Sequence, residues 1–416
     1  MNGPGLSFPV EFDPTLPRRH SSGNIFARFF LVSTWAGIAA LALLMLTILN
    51  DSIGYVIITT EVDPASLAVN GVPYEEQTNQ QLTDILANHL SARRLRVLEK
   101  ETPFADLNQA ELVLLVEQEV LDPEAAATFS MVQSLFDRSM VNAELAEHPG
   151  ATMQMRFWLQ PGLLSNSGSS NALLAGIRTA LYGSLWIIAI TILVAFPIGV
   201  GAAIFLEEYT VDNAFYRLLR ANITNLAGVP SIIYGMLGLA IFVRGMQPIT
   251  SGALFNAVSG DPAAATGRTI LSAGFTLALL ILPLIIINAQ EAIRAVNPLL
   301  RQASLGLGAT QWETIWHHVL PQAMPGILTG TILAISRAIG ETAPLVVVGA
   351  ATYITFDPNG PFSKFTTLPI AIYQWVSRPQ PEFRSLAAAS ILVLMALLLS
   401  LNAFAIALRN RLQKKQ

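Results

Sequence analysis

The chain has 416 residues, of which 52% are hydrophobic and only 12% are charged. Soluble domains carry roughly 25% charged residues, so this balance and a mean hydropathy of +0.51 exclude an ordinary soluble protein and point to a polytopic membrane protein. Cysteine is absent, which excludes a disulfide framework and thiol chemistry. The net charge of −4 conceals an asymmetry. Residues 51–170 hold 17 of the 28 acidic and 6 of the 24 basic residues, a local net of −11, and the remainder is +7.

In chain order, residues 1–24 are rich in Pro, Gly and Ser and read as a disordered cytoplasmic tail. The apolar run over 25–50 is long enough to cross a ~30 Å hydrocarbon core. No clear A-x-A site follows it, so an uncleaved signal anchor is expected rather than a cleaved signal peptide. The acidic block 51–170 reads as a folded insertion. Tyr55–Thr60 and Met153–Trp158 are candidate strands, and Gln80–Glu99, Asn108–Val120 and Ala125–Leu145 candidate helices, an α+β module.

Residues 171–408 hold five further predicted spans, Ile177–Leu206, Ile223–Val243, Thr269–Asn288, Gly326–Tyr353 and Ser385–Leu408. Six spans put both termini on one side. Arg18, Arg19, Arg28, Arg217, Arg220, Arg294, Arg301, Arg409, Arg411, Lys414 and Lys415 fall on one set of ends and loops. The opposite short loops carry Arg244, Arg268, Lys364, Arg378 and Arg384. The basic bias makes both termini cytoplasmic, including the basic tail 409–416, and puts the acidic insertion outside. The fold class expected is therefore an all-α integral membrane bundle of six helices with an extracytoplasmic insertion.

None of the four lysines, Lys100, Lys364, Lys414 and Lys415, precedes Ser or Thr, so no P-loop is present. No G-x-S-x-G or H-E-x-x-H pattern occurs either. His317 and His318 point about 100° apart on a helix, which suits shared metal chelation poorly. The chain is not expected to be an enzyme or to hold a metal.

The segment 291–325 is built differently from its apolar flanks. Asn297-Pro298 breaks the preceding helix. Leu299–Leu307 then forms a short helix whose Ala303, Ser304, Gly306 and Gly308 permit close approach of another helix. A second helix opens at Ala309-Thr310, with Trp312, Ile315, Trp316 and Val319 on its apolar side, and Leu320-Pro321 is expected to end it. Further on, Arg337 lies about 12 residues past Pro325, roughly 18 Å along a helix, with Glu341 at i+4 on the same face. Each charge costs about 2.5–3.5 kcal/mol at mid-membrane, so both face the bundle interior or water. Either they are a structural ion pair, or Arg337 lines a path for an anion with Glu341 as its orienting partner and Thr342 beside it. Pro230, Gly340 and Pro344 mark kinks or close packing.

The stretch Gln302-Ala-Ser-Leu-Gly-Leu-Gly308 with Leu320-Pro321 resembles the EAA loop of ABC-importer permeases. Gln302 stands where that pattern has Glu, and His318 near its usual Ile. Leu226-Ala-Gly-Val-Pro-Ser-Ile-Ile-Tyr-Gly235, Asn288–Val296, Ala334-Ile-Ser-Arg-Ala-Ile-Gly-Glu-Thr-Ala-Pro-Leu345 and Leu368–Trp375 are similar to the phosphate-transporter permease family PstA. The resemblance covers roughly 172–412 and the first span. Glu207-Glu208-Tyr209 also resembles the family, and equally suits a solvated helix end.

The resemblance implies a permease subunit of an ATP-driven inorganic phosphate importer. It implies a second, PstC-like permease, a cytoplasmic PstB-like ATPase dimer gripping 297–321, and an extracytoplasmic PstS-like phosphate-binding protein. ATP and Mg would sit on the ATPase, with no cofactor in this chain. A PstC-like subunit or a permease for another oxyanion remains the nearest alternative. An ion-coupled secondary transporter or a membrane-anchored sensor would need no such loop. The insertion's acidity disfavours direct capture of phosphate there. Docking of the binding protein or of the partner permease is the expected role.

Overall fold

The computed structural model describes residues 16–69, 71–101, 103–257, 262–350, 354 and 356–413. Residues 1–15, the Tyr353 end of the fifth predicted span, and Lys414 and Lys415 lie outside these. The chain divides after Asn50 into two compact units. The first contains helix α1, Leu16–Asp51, whose apolar side chains such as Phe29, Trp35 and Leu43 are exposed. Residues 16–24, expected in an irregular tail, begin this helix: beyond Pro17, no further proline interrupts it.

The second unit opens with strand β1, Ile53–Thr59. Helices α2 (Asn79–His89), α3 (Ala92–Glu101) and α4 (Gln109–Val116) follow, then strand β2 (Glu124–Thr128). Helices α5 (Met131–Phe136) and α6 (Arg138–Glu147) precede strand β3, Thr152–Phe157. The sheet order is β2-β1-β3 and both pairings are antiparallel. Two expectations change here. Gln80–Glu99 is two helices, because Leu90 is extended and the Ser91 hydroxyl accepts from Arg94 N to start α3. Ala125–Thr128 is strand rather than helix. Alanine favours helix, but pairing along β1 supplies hydrogen bonds that outweigh propensity.

The central strand is buried on both faces, with Val56 and Ile57 fully covered. Ile57 packs with Phe129 and Val141 under α5 and α6. On the other face, Val56, Ile58 and Trp158 join Leu173, Ile177, Leu368, Trp375 and Phe383 in one apolar cluster. The sheet is thus packed onto one end of the helical bundle rather than tethered to it.

The bundle contains α7 (Arg178–Ile204), α8 (Ala214–Ala227), α9 (Ser231–Gly238), α10 (Ile270–Arg294), α11 (Pro298–Gly306), α12 (Gln311–Thr314), α13 (Leu320–Gly340), α14 (Ala343–Val348), α15 (Leu368–Val376) and α16 (Pro381–Gln413). Among the described residues, five helices are long and apolar enough to cross a membrane, or six if one bent pair is counted as a span. Helix α10 is the axis of the core. Leu277, Ile281, Ile285 and Ile293 are buried among α7 and α13 residues such as Ile187, Ala195 and Ile327.

Three span boundaries differ from expectation. The third predicted span is the bent pair: Ala214–Ala227 and Ser231–Gly245 meet at 105°. Pro230 caps α9, and its ring prevents Gly228–Val229 from continuing the helix. The fifth breaks at Glu341, whose ψ of 121° is extended, with Pro344 at the start of α14. The last runs on past Leu408 to Gln413, so the described part of the basic tail, 409–413, continues the helix.

Close packing of α7 leaves no room at Gly183, where an added Cβ would lie 2.1 Å from the Thr366 carbonyl oxygen. Gly201 on the same helix has open space. Gly183→Ala is expected to cost about 1–3 kcal/mol and lower the unfolding temperature in detergent. Gly201→Ala is expected to be neutral or slightly stabilising in the same measurement.

Candidate functional site

The 291–325 segment is assembled from helix ends. The Asn297 side chain accepts from Leu299 N, and Pro298 occupies the first turn of α11, where its missing donor costs nothing. Helix α11 ends at Gly306, and Gly308 has φ +90°, a backbone conformation that disfavours a side chain. Thr310 then caps α12 in a capping box with Glu313. Ser304 Oγ and Thr314 Oγ1 lie 2.8 Å apart, buried, and tie the two helices together.

Leu320-Pro321 does not end the second helix. Gln311–Gly340 is one continuous 30-residue helix. Its stretch Ile315–Val319 is a π turn, which shifts the hydrogen-bond ladder just where Pro321 removes a donor. Residues 291–294 likewise belong to α10, so the irregular parts are 295–297 and 307–310, on either side of α11.

Two acidic residues on the π turn Phe205–Tyr209, which extends α7, hold this segment. Arg294 Nη2 donates to Glu207 Oε1 at 2.6 Å, and Gln290 Nε2 donates to the same oxygen at 3.1 Å. Arg301 Nε and Nη2 donate to Glu208 Oε1 at 3.0 and 2.8 Å. The same guanidinium donates to the carbonyls of Val296 and Ile293, each at 2.8 Å, closing the C-terminal end of α10. Gln311 Nε2 also donates to the Glu208 carbonyl. The Glu208 side chain is only 9% exposed. By sequence alone Arg294 and Arg301 are charges of the cytoplasmic ends and loops, and Glu207-Glu208 suits either a family feature or a solvated helix end. The available signal was an acidic doublet on an otherwise basic set of ends.

The other face of the segment is open. Gln302, Ala303, Leu305, Gly306, Leu307 and Gly308 are exposed, and among the described residues no neighbouring side chain or segment approaches within 4 Å of where a Cβ would sit on Gly306 or Gly308. Trp312 and Trp316 stack at 5.5 Å and are also exposed. Leu320 is buried against the core, and Pro321 stands beside it.

The second cluster lies at the break between α13 and α14. Arg337 Nε is 3.3 Å from Glu341 Oε1, and the Arg337 side chain is 43% exposed. Glu341 is on the break, not on a continuing helix as its i+4 spacing suggests. Thr342 is half-buried and opens α14. Pro344 packs on Gly235 of α9, where an added Cβ would lie 2.7 Å from the Pro344 Cα. Gly340 has open space around it. Tyr234 donates to the Leu226 carbonyl at 2.7 Å, bracing the turn that contains Pro230. Ser336 Oγ lies 2.9 Å from the Ile332 carbonyl and 2.7 Å from Asn402 Oδ1 of α16, two acceptors that share its one proton.

Residues 195–415, just over half of the chain, match the family described as binding-protein-dependent transport system inner membrane component. The chain belongs to this family. Its members are permease components, and the chain is a multi-pass inner-membrane protein. It is 32% identical over 254 residues to the probable ABC transporter permease protein YqgI of Bacillus subtilis, covering 58% of this chain and 80% of that one. It is 34% identical to the phosphate transport system permease protein PstA of Mycobacterium leprae over 56% of this chain and 70% of the other. The PstA of Pasteurella multocida is 31% identical, over 55% and 75% respectively.

The two ion pairs differ in burial, so their strengths differ. In double-mutant cycles read by thermal unfolding, Glu208→Ala with Arg301→Ala is expected to give a coupling of about 1–3 kcal/mol. For Glu207→Ala with Arg294→Ala, where Arg294 is 42% exposed, the coupling is expected to stay below about 1 kcal/mol.

Proposed function

We propose that this chain is the permease subunit of an ATP-driven importer that moves inorganic phosphate across the inner membrane. In this reading the bent pair is one span, giving six with both termini cytoplasmic, and the sheet-containing insertion is extracytoplasmic. A PstC-like permease completes the path, and a PstS-like binding protein delivers phosphate. A PstB-like ATPase dimer binds ATP and Mg, and this chain carries no cofactor.

The observation that carries the reading is a pair of sites at the two ends of one continuous helix. The open face of 302–308 immediately precedes Gln311–Gly340, and Arg337 lies in its last turn with Glu341 at the break that follows. A pull on Ala303, Ser304 and Gly308 reaches this helix through Thr314, the hydrogen-bonding partner of Ser304, and passes the π turn Ile315–Val319 to Leu320, Pro321 and the straight part beyond. The break at Glu341–Thr342 and the turn at Pro230 let α14 and α9 yield, with Pro344 on Gly235 as the contact between them. Gln302 contributes a neutral hydrogen-bonding group where the family's pattern has a charge.

At the path, phosphate loses hydration and needs compensating donors. Among the described residues Arg337 is held by one long contact to Glu341, which leaves donors for a bidentate interaction. Glu341 limits the affinity, since the ion must also leave. Thr342 adds a hydroxyl at the same level. The ordering fits an import cycle in which ATP binding moves the helix and hydrolysis resets it.

Arg337→Gln is expected to lower phosphate uptake in proteoliposomes about tenfold or more, with assembly of the complex and ATPase association unchanged. Normal uptake by an assembled Arg337→Gln complex would refute the path role. Gly308→Ala forces a side chain into a left-handed backbone at a cost of about 1–2 kcal/mol. It is expected, with Ala303→Leu, to weaken co-purification of the ATPase and uptake together.

A further inference from the structure

Where the helical lobe of the insertion meets the sheet and the linker before α7, a cavity of about 440 Å³ opens. Its lining includes Tyr74, Glu117, Gln154, Arg156, Gln160 and Leu173. Two opposite charges line it; no direct ion pair joins them, though each acts on the other electrostatically across the gap. Arg156 stacks over the Trp158 ring at 4.9 Å and donates through Nη2 to the Leu173 carbonyl, while its buried Nε has no acceptor. Glu117 accepts from the Tyr74 hydroxyl at 3.2 Å. Burial holds the Glu117 carboxyl above the usual carboxylate range and the Arg156 guanidinium below its own. Each charge is therefore withdrawn from water and only partly compensated, an arrangement that costs free energy unless a further group completes it.

We propose that this cavity binds a small zwitterion of the α-amino-acid type, its carboxylate on Arg156 and its ammonium at Glu117. The chemistry follows from the two under-compensated charges across one gap. A ligand with a single charge would satisfy one and leave the other. A net-neutral ligand is also not repelled by a segment of net charge −11. Leu121, Leu173 and Leu174 leave part of the wall apolar, which suits a ligand with a carbon body over a bare inorganic ion. Leu173 belongs to the cluster that seats the sheet on α15 and α16, so occupancy would stiffen that junction. The inference goes beyond the phosphate reading and does not depend on it.

The full chain in detergent would be titrated calorimetrically with the standard α-amino acids, and with propionate, succinate and ethylammonium as probes bearing charge of one sign only. At least one amino acid is expected to bind and raise the unfolding temperature, the single-sign probes not. Arg156→Gln and Glu117→Gln are each expected to weaken that binding about tenfold or more. Glu117→Gln keeps the size of the side chain and decides the matter if Arg156→Gln does not fold. No amino acid bound at millimolar concentration, succinate bound as tightly as any amino acid, or binding unchanged in Glu117→Gln would each overturn the proposal.

Discussion

The Glu208–Arg301 contact is the constraint on which this architecture turns. One guanidinium, 22% exposed, binds a carboxylate at the end of α7 and two carbonyls at the end of α10. It also sits on α11, so a single side chain fixes the relative positions of three helices. A cation is suited to this place because carbonyls at a helix C-terminus carry partial negative charge. Removing Glu208 would leave a partly desolvated cation with carbonyl partners alone, a more damaging change than the loss of an exposed surface pair. Glu207 and Arg294 add a second, wetter tie one residue away.

From that anchored end, the fold alternates stiff and yielding parts. Helix α10 is enclosed by α7 and α13, and its buried isoleucines leave little freedom. The yielding points are the places where the hydrogen-bond ladder is already interrupted. These are the Pro230 turn, the break at Glu341, and the π turns at Phe205–Tyr209, Leu239–Gly245 and Ile315–Val319. Three of them lie within or at the end of a helix long enough to cross a membrane and two within the bent pair, so bending is localised rather than spread.

The acidic segment 51–157 is part of the same body as the bundle. Its central strand contributes Val56 and Ile58 to a cluster with Trp375 and Phe383. At the same end, Asp357 accepts from Thr179 at 2.8 Å and pairs with Arg178 at 2.8 Å, tying the 356–367 loop to the start of α7. A sheet built this way passes forces to the helices beneath it, as a flexible tether would not.

Much of this was legible in composition and periodicity. Apolar runs located the membrane helices, because a hydrocarbon core imposes a minimum length on any span. Asn297-Pro298 and Ala309-Thr310 announced where one helix stops and the next starts, because breaks and caps depend on local residue type, whereas the left-handed turn at Gly308 emerged only in the structure. What local chemistry could not decide were outcomes of competition. Glu124–Thr128 became a strand through a partner more than sixty residues away, and Pro321 lies within a helix because a π turn precedes it. Likewise Glu207 and Glu208 suit a family feature or a solvated helix end by sequence alone, and only the fold brings residues more than eighty positions later within hydrogen-bond distance of them. The sequence by itself determined where the chain is apolar, where it turns and which residues carry charge, since those depend on side chains a few positions apart. The tertiary structure alone decided which charges meet and which face of 298–308 stays open, because both depend on packing between segments distant in the chain.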